Sequence, residues 1–255
     1  MPKSLKLVTR GLSQPTREAL WAYALISPWV IGFLIWTVGP MLVSLFLSFT
    51  QYDVVNPMVW QGIANYRQLL TGDPLFWQSL KVTLIYALMS LPTGLVVGLA
   101  VALLLNLDVP GLSVWRTIYY LPSVIAGVAV AVLWQYVLNP RFGVLNWALS
   151  LIGIRGPGWL AHPDWALPAL VIMSLWSAGG NMILYLAALQ SVPTALYDAA
   201  KIDGANTWHR LLNVTLPMIS PVIFFNLVLG TIATFQYFTN AYIMTQGGPS
   251  NATLF

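Results

Sequence analysis

The sequence predicts an all-α fold, a polytopic transmembrane helix bundle with five spans, on three observations. Of 255 residues, 58% are hydrophobic and only 7% are charged, against about 25% charged in soluble domains. Five stretches (21–49, 82–105, 118–138, 167–189 and 217–245) reach the ~20 mainly apolar residues that a bilayer crossing needs. None of the five contains Asp, Glu, Lys or Arg.

The first span follows a basic segment. Lys3, Lys6, Arg10 and Arg17 precede an apolar run from residue 19 to 49. That run is far longer than the ~7–15 residues of a cleaved signal core, so a retained signal-anchor helix is expected. Basic residues then orient the chain. With the N-terminus in the cytoplasm, the inner side holds these four plus Arg116, Lys201 and Arg210. The outer side holds Arg67, Lys81, Arg141 and Arg155. The expected organisation is a cytoplasmic segment over 1–18 and a membrane domain over 19–255.

The breaks between spans carry turn residues: 53–74, Asp108 to Gly111, Asn139-Pro140-Arg141, and 153–164. Pro28, Pro40, Pro92, Pro122 and Pro168 lie inside spans, as do Gly94, Gly98 and the small-residue run 126–131. Such residues let backbones approach and helices kink. An apolar run resuming at Thr253, after a Gly-Gly-Pro turn, suggests that a sixth span follows the five visible ones.

Several function classes are excluded by what is missing. Cysteine is absent, which removes thiol chemistry and Cys-based metal sites, and no other metal site is expected. The net charge of +4 forms no basic stripe, so nucleic acid is not an expected partner. Proton relays need ionisable groups at membrane depth, whereas His162 and His209 both fall in loops. No phosphate-binding loop is present: the Gly-rich stretch Ser177 to Asn181 is read as mid-helix and lacks a following Lys. Trp176, Asn181, Asn226, Thr234, Gln236, Tyr237 and Asn240 are the polar and aromatic groups at depth. They can bond between helices, or line a neutral pocket suited to an uncharged polyol or sugar.

Charge returns in the loop 190–215. Pro193 suits the first turn of a short helix, on which Leu196, Ala199, Ala200 and Asp203 share one Ala-dominated face. Gly204 can end that helix, Asn206 can cap a second, and Pro217 is expected to start the next span. This elbow can rest on lipid headgroups or dock a protein. Small apolar residues rimmed by Asp198, Lys201 and Asp203 favour a protein.

Asp198-Ala199-Ala200, Gly204, Val214 and Leu216-Pro217 resemble the EAA loop of ATP-binding-cassette importer permeases. Asp198 and Val214 stand where that family usually has Glu and Ile. The fuller Tyr197 to Ala205 stretch is similar to the carbohydrate-uptake branch, relatives of the maltose and glycerol-3-phosphate permeases. So are Gly62 to Tyr66 with Asp73 to Trp77, Arg116 to Pro122, and Thr245 to Pro249. The resemblance implies a non-catalytic inner-membrane subunit working by alternating access, with Asp198, Ala199, Ala200, Lys201, Asp203, Gly204 and Pro217 in the coupling loop. Its implied partners are a second homologous permease, a dimer of ATPase subunits and an extracytoplasmic sugar-binding protein. ATP and Mg would be used by the ATPase, with no cofactor on this chain. By family position, Trp176, Asn181, Thr234, Gln236, Tyr237 and Asn240 would flank the sugar. Two alternatives stay open: an ion- or proton-coupled transporter, which an uncoupler would stop at constant ATP, and a non-transporting membrane scaffold.

Overall fold

The computed structural model describes residues 13–255, so Lys3, Lys6 and Arg10 lie outside the described residues. The chain divides into two compact units at Asp73 and Pro74. Among the described residues, three single helices and two bent helix pairs are long and apolar enough to cross a bilayer.

The first unit is led by helix α1 (Gln14–Leu47). Residue 18, where the sequence reading ends the N-terminal segment, falls inside it. A two-residue hairpin, β1 (Thr50–Gln51) and β2 (Val59–Trp60), and a short α2 (Ala64–Arg67) follow. Asn65 explains why this loop is ordered: its side-chain amide donates to the carbonyls of Ser48 and Thr50, each at 2.9 Å. The Tyr66 hydroxyl lies 2.7 Å from that of Ser48, and Phe49 stacks on Trp60. Polar and aromatic anchors thus fold the loop back on the end of α1.

The second unit is built around α3 (Pro74–Leu104). Its 31 residues span about 46 Å, ample for a ~30 Å hydrocarbon core. Two spans read as continuous from the sequence are broken. Helices α4 (Leu112–Val124) and α5 (Gly127–Val137) meet at 101°, because Ile125 and Ala126 turn extended just after Pro122. Helices α7 (Pro163–Trp176) and α8 (Gly179–Ser191) meet at 49°. The Gly-rich stretch is therefore a corner, not mid-helix. With 14 and 13 residues, α7 and α8 are each too short to cross alone.

Between these pairs, α6 (Val144–Leu151) packs Leu145 and Leu149 against the core. After α8 come α9 (Thr194–Ile202), α10 (Thr207–Phe235) and α11 (Thr239–Thr245). Pro217 does not start a span. It lies inside α10, just past a π-helical stretch at Leu211–Thr215. The π stretches Leu34–Val38 and Gln68–Gly72 likewise end two residues before Pro40 and Pro74. Proline cannot donate to the preceding turn and its ring crowds the carbonyl four residues back. A widened turn relieves that crowding.

Two apolar cores lie along the bundle. One gathers Val82 and Tyr86 of α3, Ala131 of α5, Leu170 and Met173 of α7, and Met244 of α11. The other gathers Ala102 and Leu105, Met182, Tyr185 and Leu189 of α8, and Ile219 of α10. Residues 174–181 and the middle of α3 separate them. Helix crossings here depend on glycine: a Cβ on Gly179 would lie 1.9 Å from the Tyr119 carbonyl oxygen, and one on Gly230 2.8 Å from a Leu91 methyl.

Backbone cannot retreat as a flexible side chain can. Gly179→Ala is therefore expected to force α8 off α4 and to lower stability by about 1–3 kcal/mol, the usual cost of overpacking. Gly32, with nothing within 4 Å, is the control. Thermal unfolding in detergent should show a clear drop for Gly179→Ala and none for Gly32→Ala.

Candidate functional site: a polar cavity and an exposed elbow

A cavity of about 220 Å³ opens between the two cores. Helix α3 contributes Tyr86 and Ser90. The α7–α8 corner contributes Ser174, Ser177 and Asn181, and α10 with its end contributes Thr234 and Tyr237. Every polar group here is neutral. Thr234 is buried and donates its hydroxyl to the Gly230 carbonyl at 2.7 Å. The Tyr237 ring stacks on Tyr86 with centroids 4.6 Å apart, and its hydroxyl is buried without a protein partner. Neutral donors and acceptors beside aromatic faces can hold hydroxyl-rich molecules and bring no formal charge to pair with an ion.

The structure brings together Asn181, Thr234 and Tyr237 of the expected pathway residues. Trp176 packs edge-on against Trp134 at 6.1 Å, outside the cavity lining. Gln236 is exposed at the end of α10. The Asn240 side chain sits where a Cβ on Gly127 would meet it at 2.9 Å. Asn226 is buried and returns its amide to the Val222 carbonyl at 2.9 Å. Tyr86, Ser90, Ser174 and Ser177 were missed. Tyr86, Ser90 and Ser174 lie on helices whose apolar neighbours mask them, and Ser177 stands at the corner between α7 and α8.

The elbow lies at one end of the bundle. Helix α9 stops as its glycine dictates: Gly204 has φ +76°. The Ala205 amide donates to the Ala200 carbonyl at 2.8 Å and the Gly204 amide to that of Lys201 at 3.1 Å, the paired bonds of a Schellman stop. Asn206 Oδ1 accepts from the His209 amide at 2.9 Å, capping α10. Pro193 takes the N-cap position, one residue earlier than expected. Asp198, Ala199, Lys201, Asp203 and Gly204 are exposed, while Ala200 is half-buried. Lys201 pairs with Asp198 at 3.0 Å, an exposed contact of little energetic weight. Ile202, 87% exposed, and Trp208, 64%, leave apolar surface uncovered.

One contact fastens this elbow to the bundle. The Tyr197 and buried Thr215 hydroxyls lie 3.0 Å apart. Thr215 is the last residue of the π stretch, so the exposed helix is tied to the widened turn of α10. Neither residue was singled out from the sequence, because the contact depends on the chain folding back over 18 positions.

A polytopic helical bundle with a neutral internal cavity and an exposed helical elbow is the arrangement of a membrane transport subunit. Residues 75–255 match the family described as binding-protein-dependent transport system inner membrane component, and the chain belongs to that family. It is thus a multi-pass inner-membrane permease subunit, of a family that is non-catalytic. It is 44% identical over 242 residues to the probable ABC transporter permease protein YesP of Bacillus subtilis, covering 93% of this chain and 78% of that one. It is 35% identical to the trehalose/maltose transport system permease protein MalF of Thermococcus litoralis, covering 93% and 81%. It is 38% identical to the lactose transport system permease protein LacF of Rhizobium radiobacter, covering 90% and 78%. A crystal structure of a bacterial alginate ABC transporter in complex with an alginate pentasaccharide-bound periplasmic protein contains a similar chain. The TM-score is 0.77 at 31% identity, covering 94% of this chain and 81% of that one.

Removing the Asn206 side chain should fray the start of α10 at a cost of about 1 kcal/mol. Hydrogen exchange is the measurement. In Asn206→Ala, amides 207–210 should exchange faster while those of 220–230 keep their protection.

Proposed function

We propose that this chain is a membrane-spanning subunit of an ATP-driven carbohydrate importer, with its N-terminus and elbow on the cytoplasmic side. The carbohydrate reading draws on relatives described as transporting trehalose/maltose and lactose and on the neutral, aromatic-walled cavity. The partners are a second homologous permease, a pair of ATPase subunits that use ATP and Mg, and an extracytoplasmic sugar-binding protein. ATP closes the ATPase pair, and the elbow moves with it. Tyr197 and Thr215 pass that motion to α10, and the α7–α8 corner turns the cavity from one side to the other. Asp198, Ala199, Ala200 and Gly204 meet the ATPase, with Lys201 and Asp203 at the rim.

The observation that carries this reading is the exposed elbow. An ordered helix, capped and stopped by its own residues, leaves apolar surface uncovered at the end of a membrane bundle. Such surface on a built element marks an interaction site.

Gly204→Leu tests it. Nothing lies within 4 Å of a Cβ there, so within this chain the substitution brings only the left-handed backbone strain of about 1–2 kcal/mol. The variant should insert normally and lose ATP-driven uptake and ATPase co-purification. Normal uptake by Gly204→Leu would sink the elbow reading. For the cavity, Asn181→Ala and Thr234→Val should each raise KM for sugar-stimulated ATPase about tenfold, the equivalent of ~1.4 kcal/mol. An unchanged KM in both would place the sugar elsewhere.

A further inference from the structure

At the elbow end of the bundle, a second cleft of about 700 Å³ lies between the elbow and the helices behind it, within the ~300–1,000 Å³ of ligand clefts. Its walls are apolar. Ala100, Leu103 and Leu104 line it from one face of the last turn of α3, and Leu189 of α8 and Leu211 of α10 close its sides. Both α3 and α10 are long and apolar enough to cross a bilayer, and the cleft lies where one ends and the other begins. A cleft at that level meets acyl chains on one side and headgroups on the other.

One charge faces this hollow. Arg210 lines the cleft and is half-buried. Its Nη2 donates to Thr207 Oγ1 at 3.1 Å, while its Nε is buried with no protein partner. Among the described residues Arg210 has no ion pair, and no Asp or Glu lines the cleft. Position adds to the positive field, because Arg210 stands near the start of α10, where the helix dipole is itself positive. A cation set against that dipole, beside apolar walls and without a carboxylate, calls for an anion. A free phosphate would suit the guanidinium alone, and an uncharged chain would suit the walls alone. An anionic amphiphile suits both. Arginine pairs well with phosphate, and Nε supplies the free donor.

The same cleft touches the elbow's attachment. Tyr197 and Thr215, whose hydroxyls lie 3.0 Å apart, both line it. An acyl chain in the hollow therefore packs directly behind the contact that fastens α9 to α10. We propose that this cleft holds one anionic phospholipid, its acyl chain in the hollow and its phosphate on Arg210, and that this lipid braces the elbow against the bundle. The inference rests on the orientation proposed above, which sets the cleft in the cytoplasmic leaflet, where anionic lipids face the protein. It goes beyond that reading by making the coupling of the importer depend on the lipid around it.

The test uses the importer purified with its partner subunits in phosphatidylcholine nanodiscs, with or without phosphatidylglycerol. Trace lipid of either headgroup carries a photoreactive group on its acyl chain, and labelled peptides are mapped by mass spectrometry. Phosphatidylglycerol should label 100–107 and 207–215 about tenfold more than phosphatidylcholine does, the size expected for one hydrogen bond between charged groups. R210Q should remove that difference and R210K should keep it. A100W, which fills the hollow, should cut labelling by both lipids. Binding-protein-stimulated ATPase activity should rise with phosphatidylglycerol in the intact importer and stay at its phosphatidylcholine level in R210Q. Labelling is read on this chain itself, so a labelled chain without a co-purifying ATPase would count against the importer reading and leave the site standing. Equal labelling by the two lipids, or labelling unaltered in R210Q, overturns the proposal. So does displacement of the label by free inorganic phosphate, or a crosslink that places a polypeptide in the cleft. ATPase activity indifferent to phosphatidylglycerol overturns the bracing role.

Discussion

Hydrocarbon supplies no hydrogen bonds, so every peptide group at membrane depth must be satisfied by the protein itself. This chain nevertheless breaks two of its spans. It meets the constraint by keeping each break short and pressing another helix against it. At the α7–α8 corner, Gly179 lets the backbone of α8 reach that of Tyr119 in α4. At the other corner, Gly127 receives the Asn240 side chain of α11. Two glycines, each facing a polar group from a neighbour, make broken helices tolerable, and the broken helices in turn create the space between the cores. A bundle of straight helices with this composition would close into one continuous apolar core and have no cavity.

The same constraint explains why the polar groups of the cavity are all neutral. A hydroxyl on a helix can donate to its own backbone and hide: Thr234 bonds to Gly230 and Ser174 to Val171. An ionised carboxylate or ammonium has no such local refuge and would demand a partner at depth. Neutral groups keep a lone pair available to an incoming hydroxyl while costing little when the cavity is empty. Charge is held back to the ends of the bundle, at the elbow and around α6, where water can reach it.

How much of this could be read from the sequence depends on the range of the interaction. The apolar stretches themselves were legible because apolar length is a local property, but their count was not: the described residues hold three helices that could cross, or five if each bent pair is one span. The elbow was legible as well: Gly204 stopping α9 and Asn206 capping α10 involve residues at most five positions apart. The breaks at Ile125 and Ser177 were not legible, because Pro122 or a Gly pair is compatible with either a kink or a straight helix until the neighbour is known. Pro217 was misplaced for a related reason. Proline looks like a helix start unless a widened turn precedes it, and a π turn has no residue signature of its own. The cavity shows the limit most plainly. Asn181, Thr234 and Tyr237 stood out as polar residues in apolar runs. Ser174 and Ser177 are as polar, but small, and their role depends on a 49° corner that only packing defines.

The π stretch at Leu211–Thr215 also bears on how motion could pass along α10. A regular helix interrupted by a proline would bend wherever it is weakest. Here the surplus residue is confined to one turn, and the last residue of that turn, Thr215, is buried and bonded to Tyr197 on α9. Its hydroxyl also reaches the Arg210 carbonyl at 3.4 Å, one of the groups a widened turn leaves poorly paired. The weak point of the helix is therefore the point at which the exposed elbow is attached. In the coupling proposed above, force applied to α9 would enter α10 where its hydrogen bonding is easiest to rearrange. From there, α10 runs unbroken past Ile219 in one core to Thr234 at the cavity. A rigid rod attached at its pliable end can tilt without being unwound, and a tilt there displaces one wall of the cavity while α3 holds another.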